Sequence, residues 1–133
     1  MEKLKGRIIY SGQTRGTVIK SDVPISFFGG VDQKTGIIKE KNHPLCGESI
    51  SGKILIFPHA KGSTVGSYIL YALKKNGVSP NGMILDECET IVAVGAIISE
   101  IPTVDQINMN QFNTGDVVRI DEGEIYIEKK SHR

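Results

Sequence analysis

Apolar positions follow two different rules along this chain. Residues 53–57, Lys-Ile-Leu-Ile-Phe, end in four successive apolar positions, the mark of a strand buried on both faces. Residues 82–85 repeat the pattern. Residues 117–120 and 124–128 instead flank Asp121-Glu122-Gly123 and predict a hairpin. Residues 6–10 and 16–20 predict two short strands around a Ser11-Gly12-Gln13 turn, and residues 23–28 are β-rich but broken by Pro24. Gly29-Gly30-Val31-Asp32 and Lys34-Thr35-Gly36 are turn chemistry, and Ile37-Ile38 opens a segment running to a bend at His43-Pro44-Leu45.

Helical spacing begins after a loop at residues 58–62. Val65, Ile69, Leu70 and Leu73 recur at helical intervals, with Val65 and Ile69 four apart on one face. Lys74 and Lys75 suit the last turn, where the helix dipole favours positive charge. Gly77 suits the left-handed residue that follows it. Residues 90–98 predict a second, short helix against the strand preference of their β-branched side chains, and residues 102–104 a strand. The order is strands, then strand–helix–strand–helix–strand, then a hairpin. It predicts one α/β domain over residues 1–133 with a mixed, curved or barrel-like sheet and two helices. There are too few βαβ units for a doubly wound nucleotide fold.

Composition narrows the function classes. Sixteen basic and fifteen acidic residues leave a net charge of +1, and the one basic concentration is the tail Lys129-Lys130-Ser131-His132-Arg133. With no Trp and eight Phe and Tyr, the footprint of a nucleic-acid binder is missing. No apolar run approaches the ~20 residues that span a bilayer. No apolar run follows the charged N-terminus either, so no signal peptide is expected and the chain reads as cytoplasmic. Cys46 and Cys88 form no CxxC pair, and with His43 and His59 they lack the paired spacing of a zinc site. The expectation is two plain thiols and no iron–sulfur cluster in this chain.

The densest chemistry lies at Phe57-Pro58-His59-Ala60-Lys61-Gly62-Ser63-Thr64-Val65-Gly66-Ser67. A buried strand runs through a small loop into a helix N-terminus, where free N–H groups and the dipole attract anions. Ser63 or Thr64 there has two available jobs. One is capping, worth about 1 kcal/mol. The other is catalysis, with the dipole and Lys61 stabilising an alkoxide base. Lys61 precedes Gly62, so the P-loop order is absent, as is G-x-G-x-x-G, and nucleotide hydrolysis is disfavoured. Asp86, Glu87 and Glu89 follow a strand and either line a site or place negative charge in the next helix's first turn. His43 reads as a turn residue.

Two blocks, Phe28 to Asp32 with Thr35-Gly36, His43-Pro44-Leu45 and Gly47, and Gly52-Lys53 through Gly62-Ser63-Thr64 to Tyr68, together resemble the small subunits of the aconitase X family, its archaeal branch in particular. The likeness extends through residues 84–87, 93–98 and 101–105. It implies a swivelling β/β/α domain like the mobile domain of aconitase. It implies a larger catalytic subunit that carries an iron–sulfur cluster and completes a heterodimer. The implied reaction removes water from (R)-5-phosphomevalonate to give trans-anhydromevalonate 5-phosphate in the archaeal mevalonate pathway. Within that resemblance Ser63 is the proton acceptor, and Gly30, Asp32, Lys61, Gly62 and Thr64 are substrate contacts. Related enzymes dehydrate cis-3-hydroxy-L-proline. A stand-alone anion-binding module and a non-catalytic interaction domain are the other readings of these residues.

Overall fold

The computed structural model describes residues 2–128, so the basic tail from Lys129 to Arg133 lies outside the described residues. Eight strands form one mixed sheet: β1 (Glu2–Lys5), β2 (Arg7–Tyr10), β3 (Gln13–Lys20), β4 (Ile54–Phe57), β5 (Gly82–Leu85), β6 (Thr103–Asp105), β7 (Val117–Asp121) and β8 (Glu124–Glu128). Their order is β1-β8-β7-β3-β4-β5-β6-β2. The four central strands β3, β4, β5 and β6 are parallel and the flanking pairs antiparallel. Two ten-residue helices, α1 (Gly66–Lys75) and α2 (Thr90–Ser99), make the crossovers β4–α1–β5 and β5–α2–β6. No helix is long and apolar enough to cross a membrane, among the described residues.

The end strands of this order, β1 and β2, are consecutive in the chain and joined by Gly6 alone. One continuous segment therefore bends at Gly6 to pair with β8 on one side and β6 on the other, bringing the sheet close to a barrel. Gly6 donates its N–H to the Gly123 carbonyl at 3.3 Å. A Cβ at Gly6 would press on the Asp105 carbonyl and the Val104 and Ile107 side chains, so the corner needs glycine. The sequence pattern predicts the first strand from Gly6 on, and β1 lies outside that expectation. Glu2-Lys3-Leu4-Lys5 has little apolar pattern, and it is a strand because β8 supplies its partner.

The central strands divide two cores. On β4, Leu55 and Phe57 face one apolar cluster with Met83, Leu85, Leu70 and Leu73, while Ile54 and Ile56 face another with Ile84, Val118, Ile120, Ile125 and Ile127. Both faces of β4 are thus dry, which accounts for its unbroken apolar run. The β7–β8 hairpin has one dry face and alternates. Its buried side chains, Val118, Ile120, Ile125 and Ile127, fill the barrel side.

The expected extended run at residues 23–28 supplies only an isolated bridge, Ile25 to Ala60. Its order comes from burial: Ile25, Phe27, Val31, Ile38 and Ile50 from this long connection enter the helix-side core, where Phe27 meets the Phe57 ring edge-on at 5.8 Å. Helix α1 ends as the sequence predicts. Gly77 has φ +74°, its N–H reaches the Lys74 carbonyl at 3.1 Å, and the Val78 N–H reaches Leu73 at 2.9 Å, a Schellman closure. Its start differs from expectation. Ile69, Leu70 and Leu73 are buried, but Val65 is 41% exposed because it precedes the first helical residue and turns outward.

Candidate functional site

The connection from β4 to α1 is pinned at its base and open at its tip. Ile25 donates its N–H to the His59 carbonyl at 3.3 Å and accepts from the Lys61 N–H at 3.0 Å, so residues 59–61 lie along the long connection like a short extra strand. Gly62 then takes φ +95°, a left-handed conformation that side chains resist, and the chain swings away. Two tight turns follow. Gly66 donates to the Ser63 carbonyl at 3.0 Å and Ser67 to the Thr64 carbonyl at 3.3 Å, and only then does the helix begin.

Those turns leave three successive backbone N–H groups, those of Gly62, Ser63 and Thr64, without an acceptor among the described residues. Consecutive free amides at a helix entrance form an anion-binding concavity. Ser63 and Thr64 are both exposed. The Ser63 Oγ accepts the Val65 N–H at 3.1 Å. This is a turn bond two residues on rather than a cap of the helix proper, whose N-cap, Val65, has no side-chain hydrogen bond. The bond bears on both jobs the sequence left open for Ser63. An N–H directed at an oxygen orders the turn and also stabilises negative charge on that oxygen. Turn order and base chemistry share one geometry here.

Lys61 points elsewhere. Its Nζ lies 2.7 Å from the Glu40 Oε2, across a cavity of about 390 Å3 lined by Ser26, Phe28, Gly29, Gly30, Glu40, Lys61 and Gly62. Positive charge near Ser63 therefore comes first from backbone amides, with the Lys61 cation already paired. Glu40 carries no local sequence signal: it lies 21 positions before Lys61 and in no motif. Gly30 lines the same cavity, and a Cβ there would overlap the Ser26 carbonyl and come within 3.3 Å of the Glu40 Oε1.

Asp32 sits in a neighbouring cavity of about 510 Å3, alongside Phe28, Gly29, Lys34 and Lys39. Its Oδ1 accepts the N–H groups of Lys34 at 2.8 Å and Thr35 at 3.1 Å. These bonds hold its carboxyl below the usual range. Of the residues expected to contact substrate, Gly30, Lys61 and Gly62 share one cavity, Thr64 stands exposed beyond it with Ser63, and Asp32 is engaged by its own turn.

The second connection, from β5 to α2, is filled differently. Glu87 donates its N–H to the Pro58 carbonyl at 3.2 Å and Cys88 donates to the buried Asp105 Oδ2 at 2.8 Å. Asp105 is also gripped by Arg7 through Nε at 2.9 Å and Nη2 at 2.6 Å. Helix α2 starts at Thr90, so none of the three acidic residues occupies its first turn. Glu89 reaches instead to the first connection, its Oε1 accepting the Ala60 N–H at 3.4 Å. Asp86 borders a cavity of about 680 Å3 with Asp22, Gln106, Asn108 and Asn110.

His43 is a turn residue, as expected. The Leu45 N–H donates to its Nδ1 at 3.0 Å, so Nε2 carries the proton and donates to the Pro24 carbonyl at 3.1 Å. Cys46 is exposed and Cys88 half-buried. Burial, then Asp105 and Glu89, push the Cys88 thiol up to about 12.

The family model for the aconitase X swivel domain matches residues 3–129. A Methanosarcina acetivorans protein named phosphomevalonate dehydratase small subunit is 56% identical over 95% of this chain and 90% of its own. A chain of the crystal structure of Thermococcus kodakaraensis aconitase X, in its holo-form, superposes with a TM-score of 0.93 at 53% identity, covering 96% of this chain and 98% of that one. A UPF0107 protein solved by solution NMR superposes with a TM-score of 0.86 at 44% identity, covering 95% of this chain and 98% of that one.

Proposed function

Because the chain belongs to the aconitase X swivel-domain family, we propose that it is the small subunit of a two-chain hydro-lyase that dehydrates (R)-5-phosphomevalonate to trans-anhydromevalonate 5-phosphate. The observation that carries this reading is the full-length likeness to a relative bearing the phosphomevalonate dehydratase small subunit name. The substrate is a 3-hydroxy acid whose C2 proton is weakly acidic, so elimination needs a base on C2 and help for the departing C3 hydroxyl. Ser63 is the base in this reading. The Ser63 alkoxide takes the C2 proton and becomes the neutral hydroxyl, and the C2–H electron pair forms the C2–C3 double bond. The C3–O bond breaks with its pair on the departing hydroxide, which takes the proton back from the Ser63 hydroxyl to leave as water and restore the alkoxide.

What supports Ser63 is its surroundings: an exposed hydroxyl, a Val65 N–H aimed at Oγ, and free amides at Gly62, Ser63 and Thr64. Groups that stabilise a serine oxyanion raise the share of Ser63 present as the alkoxide, the form that acts as base. The same amides suit an anionic oxygen of the substrate. A large partner chain would hold the iron–sulfur cluster, whose contribution when bound is Lewis-acid assistance to the leaving hydroxyl. Docking this chain over the partner would also exclude water from the reacting centre.

The deciding measurement is an assay of the reconstituted two-chain complex against (R)-5-phosphomevalonate and cis-3-hydroxy-L-proline, beside each chain alone. Turnover of phosphomevalonate by the pair and by neither chain singly is expected. Turnover of hydroxyproline only would move the substrate to the other branch of the family. Activity of this chain alone would end the two-chain reading, and tight phosphomevalonate binding without turnover would favour an anion-binding module.

A further inference from the structure

Glu40 and Lys61 form an ion pair that no sequence motif contains, and it joins the two glycine turns beside Ser63. Glu40 has a firm mount. On one side of it the Lys39 N–H donates to the Gly30 carbonyl at 2.9 Å, and on the other its own carbonyl accepts the His43 N–H at 3.3 Å. His43 is in turn fixed to Pro24 through its ring. From this base the Glu40 Oε2 reaches the Lys61 Nζ at 2.7 Å, while Oε1 is buried without a hydrogen-bond partner, close under Gly30. Lys61 is the last residue zipped to Ile25, and Gly62 to Thr64 beyond it have no amide acceptor among the described residues. Gly62 is also the left-handed hinge. The direction in which Ser63 emerges is therefore set by how firmly Lys61 is held.

We propose that Glu40 is a positioning residue for Ser63: by clamping Lys61 against the Gly29-Gly30 turn, it fixes the Gly62 hinge and aims the Ser63 hydroxyl and its neighbouring amides. This rests on the reading of Ser63 as the reacting group. Leaving a carboxylate oxygen buried without a partner is unfavourable for the fold, and a clamp at a working site is one setting where such a cost persists. Half-exposed ion pairs add little to global stability. The pair's contribution is accordingly local order, and its variants should fold and assemble.

Two readouts test this. In the isolated full chain, Glu40→Gln should raise the mobility of the Gly62, Ser63 and Thr64 amides in NMR relaxation while the sheet amides stay unchanged. In the reconstituted complex the same variant should lower kcat by about tenfold, since small misplacements of reacting groups are costly, with KM and melting temperature unaltered. The conservative Glu40→Asp, which keeps a carboxylate for Lys61, should recover most of that loss. Unchanged loop mobility in Glu40→Gln would overturn the clamp. A raised KM at constant kcat would make Glu40 a substrate contact and overturn it equally. Should the wild-type complex fail to dehydrate phosphomevalonate, the functional reading falls, and the amide measurement by itself decides whether Glu40 clamps the loop.

Discussion

Helices α1 and α2 each follow a buried parallel strand, and their connections meet at the same end of the sheet, yet they are chemically opposite. The first, from Pro58 to Val65, has a glycine hinge, exposed hydroxyls and three amides with no acceptor among the described residues. The second, from Asp86 to Glu89, has no glycine, three carboxylates, and the Glu87 and Cys88 amides committed to Pro58 and Asp105. Topology alone marks both as places where α/β sheets bind ligands. What separates them is the run of adjacent open donors at residues 62–64 beside exposed hydroxyls, set against three carboxylates in the second connection. Adjacent open donors can receive an anion, and carboxylates repel one.

Breaking that comparison starts with its largest expected effect. Ser63→Ala should cost about a thousandfold or more in kcat, the scale of losing a positioned base. As Ser63 is exposed, melting temperature and assembly with the partner should hardly change. Asp86→Asn and Glu87→Gln in the second connection should each leave kcat within about threefold, the difference expected between chemistry and scaffold. Activity lost on the second connection but kept on the first would reverse the assignment.

Stability should show the reverse bias. Asp105 is fully buried and accepts three hydrogen bonds, two of them from Arg7. Asp105→Asn should cost about 2 kcal/mol, measured by denaturant unfolding, because bonds to a charged acceptor are stronger than neutral ones. Gly62→Ala on the first connection should cost about 1 kcal/mol through its left-handed backbone. Its kcat should fall out of proportion to that, as the hinge moves Ser63. If both substitutions shift stability and activity in parallel, the two connections are not functionally distinct.

Legibility in the sequence follows the same division. Strand β4, strand β5, the β7–β8 hairpin and the Gly77 helix end are set by local rules, and local patterns predict them. Strand β1 is set by a partner strand more than a hundred residues away, so Glu2-Lys3-Leu4-Lys5 reads as polar chain. Ser63 and Gly62 stand out because hydroxyl, glycine and strand–helix order are adjacent in the chain. The resemblance then suggests the base role proposed for Ser63. Glu40 was not legible, because its pairing with Lys61 depends on how a long irregular connection folds back over the sheet. That pairing also alters the expectation for Lys61, whose charge is directed to Glu40 and not offered free to Ser63.

The smallest effect concerns the two thiols and probes how closed the second connection is. Thiolates, not thiols, react with alkylating agents. Cys88 is held at about 12 by burial and by Asp105 and Glu89, leaving roughly one molecule in ten thousand as thiolate at pH 8. Exposed Cys46 should be alkylated first, with Cys88 modified only slowly in the folded chain. The sign of the linked stability follows. A thiol whose folded value is raised contributes stability that is fully present below its unfolded value. That contribution fades as pH rises from the ordinary thiol range toward about 12, because unfolding then releases a proton the folded site retains. Cys88→Ser should flatten this alkaline slope, and Cys46→Ser should leave it unchanged. Equal alkylation rates for the two cysteines would mean that the second connection opens readily in solution, and its reading as closed scaffold would then lose its physical basis.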